Sequence, residues 1–378
     1  MSGTLQKGVS LGPSGVTVPT SVYSYLAPNV ANHYAVTSTP WIKFWAPLPE
    51  IFPASGVVNM TPVAALANQI AAARANGLKV ILTCWQFPVW INGYTETTTD
   101  QPGQAGKGAR YRLPDDISTG SAFAGMTSYL LSWFSAGSSR SSSPNPNAIV
   151  DVLEIVNEPN SMLWPQVDAS GNRWAGCHVG QMMQLALTIN SWYGNQTIIG
   201  GPGITDARVS GGVSASGAVT DAVTFATDFV STFTNAGVTP GPKALFTMHN
   251  YGDIAPPGGS TTLWVPKVRE QALRGVWAGY PSANVHDPRI WITESGITYN
   301  RLAELGYTGI SASFEQSFLI ENGLIAMAND GTGTGLTNSG AGVDVYVHYL
   351  FETDPGFDSG LMEVTGAARI AYSEWVLL

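Results

Sequence analysis

The sequence predicts a single α/β domain, residues 1–378, folded as a (β/α)8 TIM barrel. Short β-branched runs alternate with longer helical patterns, they yield eight strands, and these strands are continuously apolar. Continuous apolar runs are typical of parallel strands covered on both faces, and eight strands with interposed helices favour a closed barrel over an open sheet. The expected strands are Gly8–Leu11, Trp41–Trp45, Lys79–Trp85, Val150–Val156, Thr197–Gly201, Leu245–His249, Arg289–Thr293 and Val343–Leu350.

The helical patterns between these strands carry start and stop residues. Over Thr61–Asn76, Thr61 is the expected N-cap, Pro62 takes the first helical position and Gly77 supplies the left-handed stop. The other helical patterns cover Ser121–Ala136, Gln181–Tyr193, Thr220–Ala236, Val265–Trp277, Ser313–Asn329 and Ala367–Trp375.

Long loops follow three of the strands, over Asn92–Ser118, Asn160–His178 and Gly252–Leu263. In a barrel these βα loops rise from the carboxyl-terminal face, where barrel enzymes keep their active sites. The loops therefore predict a walled pocket or a short cleft over that face.

The composition excludes two classes of partner. The chain has 17 basic and 26 acidic residues and a net charge of −9, with no Lys/Arg cluster. No nucleic acid is expected as a partner, because binding its backbone needs a basic face. No membrane association is expected either, since no stretch approaches the ~18 consecutive apolar residues of a membrane span. An uncharged carbohydrate suits this chain better.

The compartment and the state of the cysteines stay open at this stage. With 11% charged residues and 42 glycines the composition is typical of exported enzymes, yet the start MSGTLQKGVS lacks the apolar segment of a signal peptide. A secreted chain whose signal peptide has been removed is the favoured interpretation, and a cytoplasmic chain is the alternative. Cys84 and Cys177 are too few for a disulfide framework and form either one bridge or two free thiols. The sequence predicts no particular oligomeric state.

Two glutamates stand at the ends of the fourth and seventh predicted strands. In the segment VNEPN, Pro159 prevents the strand from continuing and leaves Glu158 at its carboxyl end, whereas Glu154 on the same strand is expected to pack or to form a salt bridge. The segment WITESG delivers Glu294 just before a turn of small residues. Two carboxyl groups that face each other across a cleft are the minimal machinery for glycosidic cleavage. One protonates the leaving oxygen, while the other attacks the anomeric carbon or activates water.

These two segments resemble the signature of the clan A glycoside hydrolases. The spelling NEPN is most similar to the family 39 branch, with the family 5 cellulase-like enzymes also near, and the resemblance extends along most of the chain. It implies a retaining mechanism in which Glu158 is the acid/base, Glu294 is the nucleophile and Asn157 binds the sugar 2-hydroxyl. In a retaining enzyme the two carboxyl groups are expected to lie about 5–5.5 Å apart.

The sixth strand ends in His249 and Tyr251, where clan members resembling this chain place a His or Tyr beside the nucleophile. Tyr251 is a candidate donor to Glu294, and His249 is a candidate to bind the sugar or to orient a carboxylate. Two strands depart from the pattern. The second carries Lys43 where many relatives have an arginine, and the eighth runs through HYLF to Phe351, a further candidate substrate-binding residue, rather than ending in a tryptophan.

Aromatic side chains in the loops are candidate sugar-binding surfaces, because aromatic faces stack on the apolar faces of sugar rings. Trp85 after the third strand and Trp174 in the loop after the fourth are preferred, although loop tryptophans also anchor loops. His178 in the same loop is a candidate cleft residue, with a structural role as the alternative. The five histidines show no HExxH or HxH spacing. Neither a metal site nor a cofactor is therefore predicted.

The sequence thus predicts a retaining O-glycoside hydrolase that acts on a glycoside or oligosaccharide by double displacement. Two alternatives remain open: a transglycosylase that uses the same carboxylates, and a carbohydrate-binding barrel that has lost turnover. β-Glucosides, β-xylosides, β-galactosides and α-L-arabinosides all suit the predicted machinery.

Overall fold

The computed structural model describes residues 6–11, 37–93, 109–136, 144–161, 164–168, 170–205, 220–251, 285–328 and 345–349, with short pieces at 273, 275–277, 280, 358, 360–361 and 369–370. Eight parallel strands within these residues form a closed barrel in which each strand pairs with the next and the last pairs with the first. The predicted (β/α)8 fold is confirmed. The strands are β1 (Gln6–Ser10), β2 (Thr37–Pro47), β3 (Lys79–Trp85), β4 (Val152–Glu154), β5 (Ile198–Thr205), β6 (Ala244–His249), β7 (Asp287–Ser295) and β8 (Val345–Tyr349).

Helices lie between the strands, as the alternating pattern predicts. The described helices are α1 (Leu48–Ile51), α2 (Met60–Ala75), α3 (Ala122–Phe134), α4 (Ala175–Trp192), α5 (Ala222–Asn235), α6 (Tyr299–Glu304) and α7 (Ile310–Ala328). The predicted helix Val265–Trp277 lies largely outside the described residues, as does Ala367–Trp375, and the predicted loop Gly252–Leu263 lies wholly outside them.

The start of α2 differs from the prediction. The N-cap is Asn59, whose side chain accepts a hydrogen bond from the Thr61 amide at 3.1 Å, so Thr61 is not the cap. Asn59 is extended and outside the helix, which leaves Thr61 and Pro62 within the first turn. The first four amides of a helix have no intrahelical partner, so the missing amide of Pro62 removes no bond there.

The start of α4 also differs, because α4 begins at Ala175 rather than at Gln181. Glycines disfavour a helix and conceal this first part of it in the sequence. Here they are required by packing against α5, since a Cβ on Gly176 would lie 2.7 Å from the Asp228 Cβ and one on Gly180 would lie 2.5 Å from the Thr232 Oγ1. Tertiary packing therefore overrides the local propensity.

The interior of the barrel is layered along its axis, because side chains two residues apart on a strand face the same side. The lower layer is apolar and consists of Trp41, Ile81, Val152, Leu245, Trp291, Val345 and Val347. Two residues further along five of these strands the buried side chains are polar, namely Lys43, Thr83, Glu154, Thr247 and Thr293. An apolar base thus supports a buried polar layer directly below the carboxyl-terminal mouth.

Both cysteines are free thiols, Cys84 buried on β3 and Cys177 exposed on α4. Of the two states left open by the sequence, two free thiols is therefore correct and a disulfide bridge is wrong. Within the described part of the chain, no helix combines the length and the apolar character needed to cross a membrane.

Candidate active site

The backbone at Glu158 is held in an unusual conformation. Its φ is +44°, in the left-handed region that residues other than glycine rarely adopt. The Glu158 amide donates to the Gly203 carbonyl at 2.9 Å, and the Ser161 amide donates to the Glu158 carbonyl at 3.0 Å. Such strain costs of the order of 1–3 kcal/mol and clusters at functional sites. This turn, together with Pro159, places Glu158 just beyond the end of β4, and the Glu158 side chain is 21% exposed.

Glu294 ends β7 on the facing side of the same mouth and is nearly fully buried. Its Oε1 accepts from the Lys43 Nζ at 2.7 Å, and its Oε2 accepts from the Tyr251 hydroxyl at 2.8 Å. The expected hydrogen bond from Tyr251 to Glu294 is therefore present. Two donors, one of them cationic, thus hold the two oxygens of this carboxyl group in place.

His249 lies between the two glutamates. Its Nδ1 is 2.9 Å from the Glu158 Oε1 and 3.4 Å from the Glu294 Oε2. One ligand-type atom from each of these three residues lies within 4.8 Å of the others. The carboxyl groups of Glu158 and Glu294 thus face each other, with an oxygen of each within 4.8 Å of the other.

Lys43 occupies the polar layer below this pair. Its ammonium is fully buried and contacts the Glu154 Oε2 at 2.9 Å and the His249 Nε2 at 3.2 Å, in addition to Glu294. Burial alone would lower the pKa of Lys43, but the neighbouring Glu154 and Glu294 carboxylates raise it above its ordinary value. The ammonium is therefore charged throughout the neutral range.

Glu154 is the counter-ion of Lys43, as the expected salt bridge requires. Its carboxylate also accepts from the hydroxyl of Thr83 at 2.6 Å and from that of Thr293 at 2.8 Å. Burial acts to raise the pKa of Glu154, but the Lys43 ammonium and the hydroxyl donors outweigh it and lower the pKa to about 2. Gly203, at φ +60°, leaves room for this carboxylate, since a Cβ there would lie 3.3 Å from the Glu154 Oε1.

Tyr251 is a permanent donor in this site. Burial raises its pKa well above the ordinary value, and the Glu294 and Glu158 carboxylates raise it further. The phenol therefore keeps its proton and donates it to Glu294.

Asn157 offers an unused hydrogen-bond acceptor beside Glu158. Its side chain is buried, and its Oδ1 has no hydrogen-bond partner among the described residues. A buried amide oxygen without a partner is costly, so a ligand hydroxyl that donates to it would be stabilised.

Aromatic rings form a rim around part of the mouth. Trp85 is half-buried and meets Trp45 edge-on at 5.0 Å and Tyr111 at 5.8 Å, measured between ring centroids. Tyr349 lies 6.3 Å from Trp45 and 6.5 Å from Tyr251. Trp85 and Tyr251 were predicted from the sequence, whereas Trp45 was not. The alternation Trp41, Lys43, Trp45 on β2 indicates that all three face the interior.

Trp174 and His178 form a separate cluster at the start of α4 rather than in a loop. Their rings lie 4.3 Å apart, and the His178 Nε2 contacts the Pro114 carbonyl. Burial lowers the pKa of His178, which favours the neutral ring.

The structure thus brings Glu158, Glu294, His249 and Tyr251 together, while Phe351 lies outside the described residues.

The three-residue cluster of Glu158, His249 and Glu294 also has the spacing of a cation site. However, the Lys43 ammonium already lies 2.7 Å from Glu294 and 3.2 Å from His249. A metal ion would have to displace these hydrogen bonds next to a fixed positive charge. The donor set therefore fits a metal poorly.

Comparisons with known proteins bear on the fold. A scan of protein-family models gives no match, and a search of curated proteins gives none. Among solved structures, a GH5_18 protein from Bifidobacterium longum subsp. infantis matches with a TM-score of 0.58 and 12% identity, over 98% of this chain and 77% of that one. An exo-beta-1,4-mannosidase from Opitutaceae bacterium strain TAV5 matches with a TM-score of 0.55 and 13% identity, over 98% of this chain.

This chain spans 58% of the length of that mannosidase. A psychrophilic glycoside hydrolase family 10 endo-beta-1,4-xylanase matches with a TM-score of 0.52 and 12% identity, over 99% of this chain and 97% of the xylanase. At these identities the likeness is one of fold: the chain shares its barrel with glycoside hydrolases.

Proposed function

We propose that this chain is a retaining O-glycoside hydrolase in which Glu158 is the acid/base and Glu294 the nucleophile. The observation that carries the proposal is the pair of carboxyl groups that follow β4 and end β7, with an oxygen of one within 4.8 Å of an oxygen of the other at one mouth of the barrel. Retaining enzymes hold this pair about 5–5.5 Å apart, whereas inverting enzymes need about 6.5–9.5 Å for a water molecule. The spacing supports the retaining geometry.

The surroundings of the two carboxyl groups support the division of roles. Glu294 accepts from Lys43 and Tyr251, which fix the position of its carboxyl group for attack on the anomeric carbon. Glu158 is the more exposed of the two and is therefore better placed to meet a leaving group. In the first step Glu294 bonds to the anomeric carbon as Glu158 gives its proton to the departing oxygen. In the second, Glu158 takes a proton from water, which attacks the same carbon and releases Glu294.

The substrate class that we propose is a neutral glycoside. The rim formed by Trp45, Trp85 and Tyr349 offers apolar surface for stacking on sugar rings, and the Asn157 Oδ1 offers an acceptor for a sugar hydroxyl. The mannosidase and the xylanase that share the fold act, by their names, on β-1,4-linked sugars. We therefore expect an equatorial β-linkage at the cleaved bond.

Of the remaining candidate residues, two stay candidates for substrate binding and one is assigned a structural role. Trp174, whose Nε1 has no hydrogen-bond partner among the described residues, remains a candidate sugar contact, and Phe351 remains a candidate by position in the sequence. For His178 we propose a structural role, since its ring is engaged with the Pro114 carbonyl.

A panel of nitrophenyl glycosides assayed with the wild type and Glu294→Ala tests the proposal. We expect one strong activity, reduced about 10³-fold or more in Glu294→Ala and restored by azide as a glycosyl azide of inverted configuration. Asp151→Ala is the matched control, because Asp151 is a carboxylate paired with Arg74 directly before β4, at the opposite end of that strand from Glu158. Unchanged activity in Glu294→Ala would refute the assignment of the nucleophile, and sugar binding without turnover would favour a binding barrel.

A further inference from the structure

Three acceptors surround the Lys43 ammonium, which has three N–H donors. They are the Glu294 Oε1 at 2.7 Å, the Glu154 Oε2 at 2.9 Å and the His249 Nε2 at 3.2 Å. All four side chains are buried, so none of these bonds is exchanged for bulk water. Each proton of the ammonium has its own acceptor.

The contact between Lys43 and His249 fixes the direction of one hydrogen bond. An ammonium group can donate but cannot accept, so the His249 Nε2 must be the acceptor and carries no hydrogen. The neutral ring then carries its hydrogen on Nδ1. Because Nδ1 lies 2.9 Å from the Glu158 Oε1, the ring donates to that oxygen.

We infer that Lys43 is a positioning residue that fixes the tautomer of His249 and, through it, the orientation of Glu158, while it also holds Glu294. This inference rests on the proposed function in that Glu158 and Glu294 are the reacting pair. One consequence concerns the acid proton. Since the Glu158 Oε1 accepts from His249, the proton that Glu158 transfers is carried on Oε2.

Glu154 contributes to the position of Lys43. It pairs with Lys43 at 2.9 Å, and Thr83 and Thr293 hold its carboxylate in place. Without Glu154, Glu294 would be the single anionic partner of Lys43. The ammonium would then be free to move towards Glu294, and we expect its hydrogen bond to His249 to weaken. The pair therefore keeps the ammonium between the two functional side chains.

Lysine suits this position better than arginine. An ammonium directs three donors to three different sides, whereas the donors of a guanidinium lie in one plane. The acceptors here come from β4, β6 and β7, three separate strands of the closed barrel. Lys43→Arg is therefore expected to disturb the bond to His249 even though the charge is kept.

Ring NMR of ¹⁵N-histidine-labelled protein tests the tautomer directly. The titratable groups that face His249 are Lys43, Glu154, Glu158, Tyr251 and Glu294. In the wild type we expect the signal that is lost in His249→Gln to show a neutral ring with hydrogen on Nδ1 from about pH 5 to pH 8. A ring with hydrogen on Nε2, or a doubly protonated ring over this range, would overturn the inference.

The double variant Lys43→Met/Glu154→Gln tests the cause, since it removes one buried positive and one buried negative charge together. We expect the His249 ring to become a mixture of tautomers and to titrate. The matched control is Lys79→Met. Lys79 lies 5.0 Å from the Trp41 ring, as Lys43 does from the Trp45 ring. Lys79 differs in that it belongs to the apolar end of the barrel. An unchanged His249 tautomer in the folded double variant would overturn the inference, and Lys43→Arg provides a second variant where the first does not fold.

An activity measurement separates this inference from the proposed function. On the best glycoside of the panel we expect the double variant to lose about 10–100-fold in kcat, the effect of a charge-assisted hydrogen bond, with KM nearly unchanged. A wild type that hydrolyses no glycoside but shows hydrogen on Nδ1 would refute the proposed function alone. An active wild type with hydrogen on Nε2 would refute the inference alone.

Discussion

The buried pair of Lys43 and Glu154 allows a quantitative test of the polar layer. Lys43→Met would leave two carboxylates, Glu154 and Glu294, with 0% and 3% exposed side chains and without their counter-ion. Removing one partner of a buried pair typically costs about 3–5 kcal/mol. We therefore expect the free energy of unfolding at pH 7 to fall by this amount.

The pKa of Glu154 gives a second measure of the same interaction. It is about 2 in the folded chain and about 4.3 in an unfolded one, so the ionised form contributes about 3 kcal/mol at neutral pH. Because the folded pKa is the lower of the two, this contribution is present above about pH 5 and is lost as the pH falls towards 2. Glu154→Gln should accordingly lower stability at pH 7 and flatten its decline over this acid range.

Urea unfolding of the single and double variants measures the coupling between the two charges. Lys43→Met/Glu154→Gln should be less destabilised than the sum of its parts by about 2–3 kcal/mol, since it leaves fewer uncompensated charges. The pair of Arg74 and Asp151, with 29% and 26% exposed side chains, is the control, and its coupling should stay below about 1 kcal/mol. Additive effects at Lys43 and Glu154, or a cost below about 1 kcal/mol for Lys43→Met, would show that the two buried charges do not stabilise each other.

Three further predictions follow from the site and from the thiols. Glu158→Ala should lower kcat/KM by about 10²–10⁴-fold on glycosides with poor leaving groups and far less on dinitrophenyl glycosides, as a leaving-group series would measure. Tyr251→Phe removes the 2.8 Å donor to Glu294 and should lower kcat/KM about 10–100-fold in the same assay. Titration with a thiol reagent should modify exposed Cys177 in the native protein and Cys84 after unfolding only, because burial raises the pKa of Cys84 to about 12. Equal native reactivity of the two thiols would contradict this.

The barrel and the facing glutamates follow from local sequence features. Each strand is a contiguous apolar run, and Pro159 and the turn after Glu294 mark where two of these runs end. In a parallel barrel all strands end at the same mouth, so two strand-end carboxylates meet without any further information. The Tyr251 contact was predicted from the family resemblance, in which a His or Tyr at the end of the sixth strand lies beside the nucleophile.

The details that were not predicted depend on contacts distant in the sequence. Lys43 meets its three partners across 111, 206 and 251 residues, and no local pattern encodes that convergence. The early start of α4 was concealed by Gly176 and Gly180, which lower helix propensity but are required by the approach of α5. At α2, Asn59 and Thr61 are both good capping residues, and only the backbone geometry distinguishes them.

The stereochemistry of the first product distinguishes a retaining mechanism from an inverting one. Time-resolved proton NMR of the hydrolysis of the preferred aryl β-glycoside, read before mutarotation, reports the configuration of the sugar as it leaves the enzyme. Because an oxygen of Glu158 lies within 4.8 Å of an oxygen of Glu294, we expect the β-anomer. An α-anomer as the first product would contradict a covalent intermediate on Glu294.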